Sequence, residues 1–246
     1  GLPASDAFES FEPTPIAAAS LGQAHRARLT TLLSDEVGFS EVIVKILRPD
    51  IEEIVEVDIR ALRRVGRILS RIRLVSRRAD APALVEEFAE TSYQEINYLN
   101  EAKNLLRFKA DFAGDDRVSV PEVVWERSAR RVLTLSDVSA IKITDVAALE
   151  LAGIDPNAVA AELARVTFQQ YFITGFFHAD PHPGNIFVTP IASLSGNSFS
   201  LTYIDFGMMG EITDEVRLNL QRLLVALASR DARASLEATQ RLKFLL

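Results

Sequence analysis

The 246-residue sequence contains no cysteine, so neither a disulfide framework nor thiol chemistry contributes to its fold or its activity. No apolar run reaches the roughly 18 residues that a transmembrane helix requires. Gly1 to Pro15 is polar and lacks the apolar core of a signal peptide. There is no internal repeat and no low-complexity tract. An excess of positive charge is also missing: the net charge of −7 argues against non-specific nucleic-acid binding, and no nucleic-acid partner is expected. These absences point to a cytoplasmic or peripheral-membrane protein. The sequence has no initiating Met and stops within the apolar pattern Phe244-Leu245-Leu246, so it reads as a fragment whose missing segments have room for membrane anchors.

What is present is long enough for one large domain or two lobes, each with a core. The most informative stretch runs from His178 to Asn185, His-Ala-Asp-Pro-His-Pro-Gly-Asn, followed downstream by Ile204-Asp205-Phe206-Gly207. Between them lie two β-prone segments, Ile186-Phe187-Val188 and Leu201-Thr202-Tyr203-Ile204, joined by a Ser/Gly/Asn link. A hairpin there brings the two loops side by side. Asp180, Asn185 and Asp205 would then offer two carboxylates and an amide oxygen, hard donors suited to Mg²⁺. Protein kinases show the same order: a base Asp and a metal-binding Asn in one loop, then an Asp-Phe-Gly metal site. Two other readings compete, a zinc cluster from His178, Asp180 and His182 and a purely structural loop. Zinc leaves Pro-Gly-Asn and Asp-Phe-Gly unexplained, and no Cys or Glu ligand stands nearby.

Upstream, Ile16 to Ala27 is an Ala-rich segment readable as a helix or as a strand-turn-strand lying over phosphates. Glu41 to Leu47 alternates as a strand and carries Lys45 near its end; Arg48-Pro49-Asp50 stops it, and Asp50 can cap the next helix. That helix, Ile51 to about Arg73, has apolar residues at 51, 54, 55, 59, 62, 65 and 69 on one face, acids at its start and an i,i+4 pair, Glu56 with Arg60. The arginines from Arg60 to Arg78 read as a solvated face or as a docking face for anionic lipid. A second helical run from Pro82 to about Phe112 holds Glu95 and Glu101, the latter the candidate partner of Lys45. Paired strands are expected over Pro121–Trp125 and Arg131–Leu135, with Ser136–Ala140 as the crossing between lobes. Asp155-Pro156 caps a buried helix built on Val159, Leu163, Val166, Phe172, Ile173 and Phe176. Thr213 or Asp214 caps a last helix with apolar positions 216, 220, 223, 224 and 227.

Taken together, Ala17-Ala18-Ala19-Ser20-Leu21-Gly22-Gln23, the Lys45 strand, Glu95-x-Asn97 with Glu101, His178 to Asn185 and Asp205-Phe206-Gly207 closely resemble the UbiB-type (ABC1/ADCK) atypical kinase-like family, linked to isoprenoid-quinone metabolism including ubiquinone biosynthesis. The resemblance covers nearly the whole chain. It implies an α+β, bilobal protein-kinase-like fold: a β-sheet N-lobe with extra helices over residues 1–135 and a truncated helical C-lobe over 136–246. ATP would lie between the lobes, with Mg²⁺ bridging its phosphates. Lys45 would contact the nucleotide phosphates and pair with Glu101, Asp180 would take the catalytic-base position, and Asn185 and Asp205 would hold the metal. Ala17, Ala18, Ala19, Ser20 and Gln23 would replace the usual glycine loop. Glu95 would belong to a Glu-x-Asp motif that meets an N-terminal Lys-x-Gly-Gln helix. Here the motif reads Glu-Ile-Asn, with Asn97 for the acid, and the Lys-x-Gly-Gln segment is absent. The crossing carries Ser136 and Ala140 where relatives commonly have an acid and a Gly. The resemblance favours an ATPase or a small-molecule or lipid kinase, with a quinone-precursor lipid, a membrane surface or biosynthetic-complex proteins as partners. A protein kinase and a non-catalytic nucleotide-gated scaffold are the alternatives.

Overall fold

The computed structural model describes residues 3–18, 21–72, 80–138, 140–191 and 198–242. It divides into two compact units, Gly1–Leu106 with Pro121–Val138, and Arg107–Val120 with Ser139–Leu246. Both mix helices with largely antiparallel sheet.

The first unit is built on a sheet in which Ser10–Phe11, Gly22–Arg28, Glu41–Leu47 and Val132–Ser136 follow one another, with Ala17–Ala18 pairing Gly22–Arg28 beside Ser10–Phe11. The Ala-rich segment is therefore strand rather than helix where it is described; Ala19 and Ser20 lie outside the described residues. Strand alternation sorts the side chains. Val42 and Val44 face a core of Phe8, Ala27, Leu29 and Val124. Lys45 faces the other way, in register with Ala24 on one side and Leu133 on the other. Val132–Ser136 forms a strand as expected, but its partner segment makes only a bridge, Val123 to Leu135, before a 3-10 turn at Trp125–Arg127. Of the crossing segment, Ser139 is outside the described residues.

Two helices follow the lysine strand. Ile51–Leu69 begins at Asp50, which adopts a left-handed conformation (φ 59°) and makes no side-chain cap; its carbonyl accepts the Ile54 N–H instead. The Glu56–Arg60 pair forms at 4.0 Å. The single apolar face expected for this helix is two stripes: Ile51, Val55, Ile59 and Gly66 are buried, whereas Ile54 and Val65 are exposed. The long run expected from Pro82 to Phe112 is broken. Ala81–Glu95, capped by Asp80 accepting from Ala83 N–H, ends before Ile96-Asn97, and Tyr98–Asp111 starts afresh. Asn97 causes the break by accepting the Leu99 N–H through its side-chain oxygen, while the Tyr98 N–H turns to the Arg130 carbonyl.

In the second unit the expected hairpin is present: Ile186–Ile191 pairs antiparallel with Ser198–Tyr203. Val118–Ser119 adds in parallel to the latter strand, which draws Arg107–Val120 into this unit. Asp155 caps Pro156–Gln169 as expected. That helix does not continue to Phe176. It passes into a π-turn, Gln170–Thr174, and Gly175 at φ 74° reverses the chain into the strand Phe176–His178, leaving Ile173 exposed. Thr213 caps Asp214–Ala228, whose buried residues are Asn219 and Ala226 rather than the apolar positions 216, 224 and 227.

Candidate functional site

Two constellations of site residues form, one in each unit. In the first, Lys45 Nζ donates to Glu101 Oε1 at 2.5 Å, across 56 residues of sequence. Both side chains are largely withdrawn from solvent, 17% and 6% exposed, so the ion pair works in a lower dielectric than a surface pair. The glutamate reaches the strand because its helix is pinned at its start. Tyr98, one turn before Glu101, lies against the same sheet face. A Cβ built on Gly22 would stand 2.5 Å from the Tyr98 hydroxyl and 2.6 Å from the Ile46 carbonyl oxygen. Gly22 thus supplies the gap that seats Tyr98. Gly22→Ala should destabilise the fold by about 1–3 kcal/mol through overpacking, read as a lowered thermal midpoint. An unchanged midpoint would mean that Tyr98 does not need this seat.

The other residues assigned to the nucleotide loop divide between the faces. Ala17 pairs with Ala24, which pairs with Lys45, so Ala17 shares the lysine's face. Ala18 pairs with Gln23, which pairs with Ile46, and this row belongs to the opposite face. The register therefore does not bring the Gln23 side chain to Lys45. Glu95 ends its own helix, across the Ile96-Asn97 break from Glu101.

In the second unit the hairpin register does the positioning. Ile186 faces Tyr203, and the ladder runs one step further, where Ile204 N–H donates to the Asn185 carbonyl at 3.1 Å. Asn185 and Asp205 consequently sit on adjoining loop ends. The Asn185 loop is wound by short bonds: His182 N–H to the Asp180 carbonyl at 2.7 Å, Asn185 N–H to the His182 carbonyl at 2.8 Å, and Gly184 N–H to His182 Nδ1 at 3.0 Å. Asp205 Oδ1 accepts the Gly207 N–H at 3.1 Å. Asp180 is exposed on the first loop.

Beneath these loops His178 is buried and its Nε2 approaches the Asp205 carbonyl oxygen at 2.5 Å. A carbonyl only accepts, so Nε2 carries the proton and is committed to holding Asp205. Among the described residues no three His, Cys, Asp or Glu gather as a metal cluster, which the zinc reading needs. An amide oxygen beside a carboxylate is the donor chemistry that magnesium takes, and Asn185 and Asp205 fit it. Phe206 is fully buried against Phe108, their centroids 5.2 Å apart, and anchors the loop to the core.

Sequence reasoning missed Gln170. Its side-chain oxygen accepts the His178 N–H at 2.8 Å, and it is buried. No local signal set it apart, because Glu162, Arg165, Thr167, Gln169 and Thr174 are polar residues of the same Val159–Phe176 run. Tyr98 and Gly22 were missed because nothing local in either segment reveals a contact made across the sheet.

Comparison with known proteins was made against this geometry. The ABC1 atypical kinase-like domain matches residues 1–239. An uncharacterised protein of Synechocystis sp. is 37% identical over 232 residues, covering 94% of this chain and 37% of that protein. Protein ACTIVITY OF BC1 COMPLEX KINASE 7, chloroplastic, of Arabidopsis thaliana is 39% identical over 233 residues, 95% of this chain and 31% of its own length. A probable protein kinase UbiB of Xanthomonas campestris pv. campestris is 38% identical over 240 residues, 96% of this chain and 42% of its own. Among solved structures, Rv3197 of Mycobacterium tuberculosis, determined in complex with erythromycin, superposes with a TM-score of 0.72 at 25% identity, covering 96% of this chain and 55% of that one. The chain spans less than half the length of these curated relatives.

Proposed function

The chain belongs to the ABC1 atypical kinase-like family, and from that premise we propose that it binds ATP with Mg²⁺ and uses it as an ATPase or a small-molecule or lipid kinase in isoprenoid-quinone biosynthesis. The observation that carries this reading is the Lys45–Glu101 ion pair. A strand lysine held in a buried pair is fixed as a donor for α- and β-phosphate oxygens, whereas a lysine on an outer sheet face has no such constraint.

In this reading residues 1–135 act as the small lobe and 136–246 as part of the large lobe. Glu101 orients Lys45. Asn185 and Asp205 hold Mg²⁺, which supplies charge neutralisation at the phosphates. Asp180, exposed and unencumbered by helix packing, orients the acceptor hydroxyl or water and takes its proton. Ala17, Ala18, Ala19, Ser20 and Gln23 contribute the nucleotide loop, the last through its backbone, and Glu95 belongs to the nucleotide-binding set through its Glu-x-Asn motif. The work is mostly positioning and electrostatics. The relatives named as kinases support phosphoryl chemistry, and the UbiB name supports the quinone connection.

Phosphate release from ATP, measured with Mg²⁺ and with either a quinone-precursor phenol in vesicles or a protein acceptor, tests the reading. We expect Mg²⁺-dependent release that the lipid raises and the protein leaves unchanged. Labelled phosphate on the protein acceptor alone would make the domain a protein kinase. Nucleotide binding without release under any of these conditions would make it a scaffold.

A further inference from the structure

The segment that follows Asp205 is fastened by a very short strand pair. Met209–Glu211 pairs antiparallel with Phe176–His178, three residues on each side. Two strands of that length are marginal on their own. Their ends nevertheless bracket both loops of the candidate metal site. Ala179 N–H donates to the Met208 carbonyl at 3.0 Å, and Ile212 N–H donates to the Gly175 carbonyl at 2.8 Å. The first of these bonds joins the residue before Asp180 to the residue after Gly207. Gly207 in turn donates its N–H to Asp205 Oδ1. The orientation of the Asp205 carboxylate therefore depends on where the short strand lies.

Arg107 grips that strand pair. Its Nη1 and Nη2 donate to the two carboxylate oxygens of Glu211 at 3.0 and 2.9 Å, a planar fork on a planar acceptor. Glu211 stands opposite Phe176 in the ladder, and the Arg107 guanidinium lies 4.1 Å from the centre of the Phe176 ring. One side chain thus engages both strands, one through its edge and the other through its face. The next residue along the helix, Phe108, packs on Phe206. Two successive side chains hold the chain on either side of Gly207, and all of these residues belong to the second unit. The Arg107 and Glu211 side chains are 44% and 64% exposed, so the pair adds little to global stability. What it supplies is direction, because a guanidinium fork fixes the orientation of its acceptor as a single ammonium does not. Asp111 lies one turn beyond Arg107. Its Oδ2 is buried without a hydrogen-bond partner among the described residues, and burial raises its carboxyl pKa while Arg107 opposes the rise. Removing Arg107 therefore leaves two acids without the cation between them, whereas removing the Glu211 charge does not.

We propose that Arg107 is a positioning residue for the metal loop. Its fork to Glu211 and its seat on Phe176 fix the strand leaving Asp205-Phe206-Gly207, and through it they aim the Asp205 carboxylate. The proposal rests on the reading of Asp205 as a magnesium ligand and adds the group that holds that ligand in place.

The test uses Arg107→Gln, Arg107→Lys and Glu211→Gln in the full chain, with two readouts. The first is amide exchange without nucleotide. The Ala179 and Ile212 amides should exchange roughly tenfold faster in all three variants, while the Ile204 amide, bonded to Asn185 on the hairpin side, keeps the parent's rate. The second is a Mg²⁺ titration at saturating ATP, followed by thermal stabilisation. The half-saturating Mg²⁺ should rise about tenfold, the low end of what removing a group behind a metal ligand costs. ATP affinity in the presence of a chelator should not change. Arg107→Lys should behave like Arg107→Gln, because the charge remains but the fork is lost. Glu211→Gln keeps Arg107 beside Asp111 and so carries the test if the Arg107 variants fold poorly. Parent-like exchange at Ala179 and Ile212 would reduce the pair to a surface contact and overturn the proposal. Faster exchange with an unchanged Mg²⁺ requirement would overturn it too, since the grip would then not reach Asp205. A parent that takes up no Mg-ATP would refute the nucleotide reading itself, an outcome distinct from a parent and variants that bind it alike.

Discussion

Asp205→Asn should abolish the stabilisation that Mg-ATP confers while leaving the apo fold intact. The substitution keeps two bonds of the position. An amide oxygen still accepts the Gly207 N–H, and the backbone carbonyl still takes the proton of His178 Nε2. It removes the negative charge, which is what a divalent cation needs. At ligand one hundredfold above its dissociation constant the parent gains about 2.7 kcal/mol, which for a chain of this size raises the thermal midpoint by about 5–10 °C. The variant should show the parent's midpoint without ligand and no resolvable rise with it. Equal rises for parent and variant would remove Asp205 from the metal site.

The second large effect concerns Lys45 and Glu101, where stability and binding can be separated. Lys45→Met strips the Glu101 carboxylate of its lysine inside a pocket where that carboxylate is only 6% exposed. Removing one member of such a buried pair costs about 3–5 kcal/mol. Lys45→Met/Glu101→Leu removes the charge as well, and should recover most of the lost stability. Nucleotide affinity should behave differently: one charged hydrogen bond to phosphate is worth about 1.5–3 kcal/mol, so both variants should bind about 10- to 150-fold more weakly. Denaturant midpoints and calorimetric titration read the two quantities. A double variant as unstable as the single one would deny the coupling. A single variant binding ATP like the parent would deny Lys45 its phosphate.

Those two constellations were legible in the sequence for different reasons. Asn185 and Asp205 are close because they flank a hairpin, and a hairpin is a local object: β-prone segments of matching length joined by a polar link imply its register. Lys45 and Glu101 were legible only through the order of several motifs, since 56 residues separate them. What sequence pattern could not reveal was packing. The Ile51–Leu69 helix shows one amphipathic period, but burial depends on how many sides neighbours cover, and only one stripe is covered. The break at Ile96-Asn97 depends on a side-chain oxygen competing for one amide, an effect that helical periodicity averages away. Asn97, the neutral residue where the family motif has an acid, does this capping with an oxygen that an Asp would also offer. The π-turn at Gln170–Thr174 and the reversal at Gly175 likewise involve one glycine and one buried amide inside a run whose periodicity reads as continuous helix. Whether Gln23 lies on the lysine's face was a matter of strand register, where a shift of one residue exchanges the faces.

The most direct test of the central claim is paramagnetic. With Mn²⁺ replacing Mg²⁺ in the presence of ATP, the side-chain amide resonance of Asn185 and the backbone amides of Asp205 and Gly207 should broaden beyond detection, because they stand at the metal, and Mg²⁺ in excess should restore them. Sharp, unshifted Asn185 and Asp205 signals at saturating Mn-ATP would contradict the account.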